Sequence, residues 1–137
     1  MEKYDPNLSN PAHNFSYFTS GVFGPDLYVE LINQRTSYIQ ITRGGEKTPQ
    51  DKILEALILT DAAKRNGTEK IVLWSPYPYY AREDDYVKGR SLTSKLIADC
   101  FRVSGITDFL TLHNHSKESA EFYTNPGEGE REIEFYD

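Results

Sequence analysis

The sequence predicts a single-domain α/β fold, three layers built around a parallel sheet, and three observations predict it. The 137 residues suffice for one core of ordinary size and not for two. β-rich runs alternate with helical patterns at the spacing of successive strand-helix-strand units. The central run, Ile71-Val72-Leu73-Trp74, is continuously apolar, as strands buried on both faces of a parallel sheet are.

Residues 1–20, rich in Asn, Ser, Tyr and Phe with Pro6 and Pro11, hold no sustained period and read as an N-terminal arm. The domain proper is expected over residues 21–126. Leu27-Tyr28-Val29-Glu30-Leu31 and Tyr38-Ile39-Gln40-Ile41-Thr42 are β-rich runs whose separation suits two neighbouring strands. Residues 48–67 carry their own helix punctuation: Thr48 as N-cap, Pro49 at the first helical position, Asp51 in the first turn and Gly67 just past the end. Ile53, Leu54, Leu57, Ile58, Leu59 and Ala62 give this helix an apolar stripe wide enough for a sheet face. A second helix is expected over 93–104, with Leu96, Ile97, Cys100, Phe101 and Val103 inward and Gly105 as its stop. Phe109-Leu110-Thr111-Leu112-His113 is the next strand. Residues 127–137, in which Glu128, Glu130, Glu132 and Glu134 alternate with other residues, form an acidic tail, read as a solvated edge strand or a fraying end.

Hydrophobic residues at 38% and charged residues at 26% exclude a chain disordered throughout. The net charge of -6 opposes long-range attraction to nucleic acid or to an anionic membrane, so neither is an expected partner. One cysteine, Cys100, cannot close an internal disulfide, and a cytoplasmic setting is the simpler expectation. No stretch approaches a membrane span, and the first residues carry no export pattern.

Parallel α/β sheets bind ligands at the carboxyl ends of their strands, which directs attention to residues 43–47, 75–90 and 113–119. Arg43-Gly44-Gly45-Glu46-Lys47-Thr48 precedes a helix N-terminus, where backbone N–H groups can hold a phosphate, although its glycine order departs from a Walker A loop and also suits a plain turn. In Tyr77-Pro78-Tyr79-Tyr80-Ala81-Arg82-Glu83-Asp84-Asp85, rings can sandwich a base while Arg82 reaches a phosphate, or the tyrosines can simply pack on their own helix. His113-Asn114-His115 brings two imidazoles to one side if the strand continues, for a divalent metal, for a metal-bound polyphosphate or for hydrogen-bonded structure alone.

Over about residues 22–126 these segments, in this order, resemble the N-terminal domain of ribose-phosphate diphosphokinase (phosphoribosyl pyrophosphate synthetase). Tyr77-Pro78-Tyr79-Tyr80-Ala81-Arg82-Glu83-Asp84 is similar to the family's Tyr-x-x-Tyr-Ala-Arg-Gln-Asp segment, and Ser94-Lys95-Leu96-Ile97-Ala98-Asp99 to the helix that follows it. Asn114-His115-Ser116-Lys117-Glu118, with Phe122-Tyr123 and Pro126 after it, is similar to the family's Leu-His-x-x-Gln strand end. The helix from Leu54 to Arg65 is similar too. The resemblance implies a phosphoribosyltransferase-like α/β fold and, for the whole enzyme, transfer of diphosphate from magnesium-ATP to ribose 5-phosphate. It implies that Arg82, Glu83 and Asp84 hold the ATP, that Tyr79 or Tyr80 stacks, and that His115 stands by the Mg2+-bound phosphates as the catalytic and metal-side residue. Phe23-Gly24-Pro25-Asp26 looks like a shortened form of the loop that reaches the adenine of a neighbouring subunit's ATP, so Phe23 and Asp26 inherit that contact.

The departures have physical consequences. Glu83 replaces the family's Gln and Asp85 a basic residue, which places negative charge where a triphosphate would lie, unfavourable unless magnesium or a nearby cation intervenes. The family's second domain supplies the ribose 5-phosphate loop and a mobile basic loop, and neither is found in these 137 residues. Two functions from different classes are therefore expected: an ATP-binding half that needs a C-terminal half for catalysis, or a catalytically silent regulator that docks onto a full synthetase. Self-association, or hetero-association with a synthetase, is implied by the resemblance.

Overall fold

The computed structural model describes residues 15–16, 29–32, 36–41 and 45–137. The Phe23 and Asp26 contacts, the first two residues of the 43–47 loop and most of the 1–20 arm lie outside the described residues.

Strand β1 is Phe15–Ser16, β2 is Val29–Ile32 and β3 is Thr36–Gln40. Helix α1, Pro49–Arg65, leads to β4, Lys70–Trp74, and α2, Thr93–Ser104, leads to β5, Asp108–Leu110. Helix α3, Lys117–Thr124, then delivers β6, Glu134–Tyr136. The six strands form one sheet in chain order, with antiparallel pairing from β1 to β3 and parallel pairing from β3 to β6. The result is a small α/β domain around a four-stranded parallel sheet. Three crossovers stepping in one direction set the helices side by side, α1 against α2 and α2 against α3.

Helix α1 starts where its punctuation says. Thr48 accepts the Asp51 N–H at 3.1 Å, and Asp51 Oδ2 accepts the Thr48 N–H at 3.4 Å, a closed capping box with Pro49 behind it. Its inward face is not the expected stripe. Ile53, Ala56, Leu59 and Ala63 are buried together with Glu55 and Thr60, whereas Leu54 is half exposed. The correction is larger on α2: Leu96 and Val103 face solvent, at 53% and 80% exposure, and Cys100 is half-buried. Ser94, Ala98, Phe101 and Arg102 turn inward instead. Side chains 98, 101 and 102 share a face at helical spacing, and the crowded interface with α1 and α3 takes a small alanine and a long arginine stem in place of branched residues. Gly105, at φ 120°, ends α2; a Cβ there would stand 2.7 Å from Lys64 Cδ.

Within residues 127–137, Glu134–Tyr136 is taken into the sheet. β6 pairs with β5 in parallel register, Phe109 opposite Phe135, and of the two readings of this segment the edge strand is the one observed. Ile133 is 1% exposed, and the Phe135 ring stacks on Phe109 with centroids 5.2 Å apart. The segment is acidic yet carries apolar residues at 133 and 135, and that alternation of two is enough to bury one side of an edge strand. Ile133→Val is expected to cost about 0.5–1.5 kcal/mol in urea unfolding. A cost near zero would place this residue at a frayed end.

Tyr123 of α3 packs on Phe109, with ring centroids 4.6 Å apart. Burial pushes its phenol well above the usual tyrosine range, against a smaller opposing pull from the Arg102 guanidinium. The folded chain keeps this proton where the unfolded chain releases it, so stability holds up to about pH 10 and falls as the pH rises further. Tyr123→Phe should remove this share of the alkaline loss, read as the change in unfolding midpoint between about pH 9 and about pH 11. An equal loss in both proteins would exclude Tyr123 as its source.

Candidate functional site

The sheet delivers two loops to one place. At the carboxyl end of β4 the chain enters residues 75–92, and at the end of β5 it enters residues 111–116. β5 stops at Leu110 rather than running on to His113. Thr111 N–H still reaches the Tyr136 carbonyl at 2.9 Å, but Leu112 N–H and His113 N–H both turn to the Pro76 carbonyl, at 3.2 and 3.1 Å. That hook pulls the histidine loop across the end of β4. A cleft of about 360 Å³ opens there, lined by Tyr77, Pro78, Tyr80, Ala81, Arg82, Glu83, His113 and His115.

The β4–α2 loop is held in an unusual conformation. Tyr80 has φ 64°, in the left-handed region that bulky residues avoid at a cost of about 1–3 kcal/mol. It is pinned from several sides: its ring packs beside the core, its hydroxyl accepts from Gln50 Nε2 at 2.6 Å, and its carbonyl accepts the Glu83 N–H at 3.0 Å. The Glu83 carbonyl in turn accepts the Ser94 N–H at 3.0 Å, tying the turn to the start of α2. Arg82, the residue inside this turn, is exposed, and its guanidinium bonds to no other described residue. The cleft therefore presents one guanidinium, one carboxylate and two imidazoles, with the aromatic ring of Tyr77 lying 6.4 Å from that of His113.

Of the residues expected from sequence, Tyr80, Arg82, Glu83 and His115 meet on the cleft wall. Asp84 does not line it; its carboxylate accepts the hydroxyl of Ser116. Tyr79 points inward to the core. Tyr77 and His113 also line the cleft; the sequence reading placed both in ligand-bearing segments, but the family resemblance singled out neither. Tyr77 is 49% exposed, and His113 stands closer to the strand end than His115. Leu112-His113 itself repeats the family's Leu-His pair, and that literal match was the available signal.

The 43–47 loop behaves as a turn at its described end. The capping box engages the Thr48 and Asp51 N–H groups at the start of α1, Asp51 adds negative charge there, and Lys47 forms a 2.9 Å ion pair with buried Glu55. As for a metal, no three His, Cys, Asp or Glu side chains converge among the described residues. Magnesium prefers oxygen ligands and keeps its waters and phosphates, so this donor set suits an ion that arrives on a nucleotide rather than one chelated by His115.

No helix among the described residues is long and apolar enough to cross a membrane. Residues 10–105 match the family described as the N-terminal domain of ribose phosphate pyrophosphokinase. Ribose-phosphate pyrophosphokinase 1 of Streptococcus pyogenes serotype M3 is 34% identical over 93 residues, 67% of this chain and 29% of that protein. The protein of the same name from Streptococcus pneumoniae serotype 4 is 33% identical over the same coverage. The chain thus spans under a third of the length of these relatives. The crystal structure of phosphoribosylpyrophosphate synthetase from Mycobacterium smegmatis superposes with a TM-score of 0.57 at 22% identity, covering 73% of this chain and 30% of that one, and shares the fold. With the match extending over most of its residues, and with the Tyr-Ala-Arg loop and the Leu-His strand end meeting at one cleft, this chain belongs to the ribose phosphate pyrophosphokinase N-terminal domain family.

Proposed function

We propose that the cleft binds the polyphosphate of magnesium-ATP, and that the chain supplies the nucleotide half of a ribose-phosphate diphosphokinase site. The observation that supports it most is the convergence of Arg82, His113 and His115 at the ends of two parallel strands. Arg82 offers a planar fork of donors suited to phosphate oxygens, and it is held out from the turn with no competing partner among the described residues. The imidazoles can donate to the same phosphates, while Tyr77 offers a face for the base. Magnesium, carried on the phosphates, would offset their charge and that of Glu83. Residues outside these 137, on the same or another polypeptide, would hold ribose 5-phosphate.

Positioning and charge stabilisation do most of the work in phosphoryl-type transfer, and one arginine beside two imidazole hydrogen-bonding groups is a small set for it. Calorimetric titration with magnesium-ATP tests the binding step: saturable heat that weakens in His113→Ala and His115→Ala supports the reading. Absence of heat up to millimolar ATP refutes it.

The Glu83 carboxylate on the cleft wall favours a second reading, a catalytically silent subunit that docks onto a complete synthetase and changes its rate. In that case the chain co-sediments with a synthetase and alters its turnover equally well with Arg82→Ala. Self-association, the homo-oligomer alternative, is read in the same sedimentation experiment with the chain alone.

A further inference from the structure

The two walls of the cleft are joined behind it by a chain of hydrogen bonds that the nucleotide would not touch. The Ser116 hydroxyl donates to Asp84 Oδ2 and accepts the Ser119 N–H at 3.1 Å. Ser119 Oγ, buried, lies 2.7 Å from Asn114 Oδ1 and accepts the Ser116 N–H at 3.3 Å, and Asn114 Nδ2 donates to the Ser116 carbonyl. Asp84 directly follows Arg82-Glu83, and Asn114 sits between His113 and His115. The Ser116 hydroxyl thus bridges the arginine wall to the N-cap of α3, and the α3 cap fixes the histidine loop.

We propose that Asp84 is a positioning residue, which by accepting the Ser116 hydroxyl sets His113 and His115 opposite Arg82 and makes no contact with the nucleotide itself. This rests on the nucleotide reading of the cleft. Two geometric facts carry it: Asp84 is absent from the cleft lining, and its one described hydrogen bond runs to the residue that caps α3. A carboxylate aimed at magnesium would face the cleft. A carboxylate that aligns the groups around a site is bonded behind it, and the loss of such a support is felt through the groups it orients.

The test uses the full chain and two readouts, magnesium-ATP titration and the imidazole ring resonances of ligand-free His113 and His115. Asp84→Ala is expected to weaken ATP about tenfold, Ser116→Ala at least as much because it also gives up the cap bond from the Ser119 N–H, and the double variant no further than Ser116→Ala, because the bond between the two residues is already lost in each. Asp84→Asn keeps an acceptor oxygen without the charge, and Ser116→Thr keeps the hydroxyl and the cap, so both should stay within about threefold of the unaltered chain. In the ligand-free chain, Asp84→Ala and Ser116→Ala should shift the two imidazole resonances alike. Asp84→Asn as weak as Asp84→Ala would overturn the proposal, since the charge would then act directly on the metal-nucleotide. Additive losses, or ring resonances unmoved by either substitution, would overturn it equally. If the unaltered chain binds no ATP, the nucleotide reading fails by that result alone, and the ring resonances still decide whether Asp84 and Ser116 set the histidine loop.

Discussion

Arg102→Ala is expected to destabilise the folded chain by about 3–5 kcal/mol, the range found when one partner of a buried ionic network is removed. The Arg102 side chain is 6% exposed, and its guanidinium serves three parts of the fold at once. Nη1 lies 2.6 Å from Asp99 on its own helix and 3.5 Å from Glu130, Nε donates to the Arg131 carbonyl at 2.9 Å, and Nη2 donates to the carbonyls of Phe122 and of Tyr123, the latter at 3.2 Å. The Phe122 and Arg131 carbonyls take their described donors from this one group, while the Tyr123 carbonyl also accepts the Ile133 N–H at 3.0 Å. Asp99 keeps Lys95 at 2.6 Å after the substitution and the Tyr123 carbonyl keeps the Ile133 N–H, so most of the cost lies in the Phe122 and Arg131 carbonyls that lose their donor and in the lost packing of the arginine stem. Arg102→Lys should recover only part of it, because an ammonium lacks the planar fork that spans several acceptors. Urea unfolding of the three proteins measures this directly, and a shift below about 1 kcal/mol for Arg102→Ala would show that water replaces the guanidinium at those carbonyls.

Arg82→Ala is expected to lower affinity for magnesium-ATP by about ten- to a hundredfold, corresponding to roughly 1.5–3 kcal/mol for a charge-assisted hydrogen bond. Its thermal stability should change little, since the side chain is exposed and bonds to no described residue. The combination of lost binding and preserved folding distinguishes a ligand-facing arginine from a structural one such as Arg102. Glu83→Gln should act in the opposite direction, tightening ATP severalfold by removing a carboxylate from the cleft wall. Both substitutions are read in one calorimetric series, at low and at high salt. Equal affinities in the unaltered chain and Arg82→Ala would remove the arginine from the site and move the docking reading ahead.

Much of this was legible in the residues. The start of α1 follows from Thr48, Pro49 and Asp51, and the end of α2 from Gly105, because caps and stops act within a few residues of where they stand. The alternation of strand and helix specifies an α/β sheet, and the Tyr-Ala-Arg and His-Asn-His segments mark the two loops that meet at the cleft. Which helix faces turn inward was not legible. Leu96 and Val103 are as apolar as a core residue and stay outside, while Arg102 goes in, because the carbonyls it satisfies come from residues 122, 123 and 131, far along the chain. The short helix α3 was hidden as well: eight residues with few apolar positions are stabilised by Ser116 capping and by contact with α2 rather than by propensity.

What the sequence determined by itself is therefore local: the order of elements, the ends of the first two helices, and the segments that carry arginine, tyrosine and histidine. The tertiary structure alone decided that His113 and His115 share a wall although the strand stops short of them, that Asp84 stands behind the cleft, and that Glu134–Tyr136 completes the sheet. Those outcomes depend on a hook to the Pro76 carbonyl, a bond to Ser116 and a register with β5, each between groups well separated along the chain. Capping and periodicity are set by neighbours in sequence, whereas burial and alignment are set by neighbours in space, which only the packed sheet brings together.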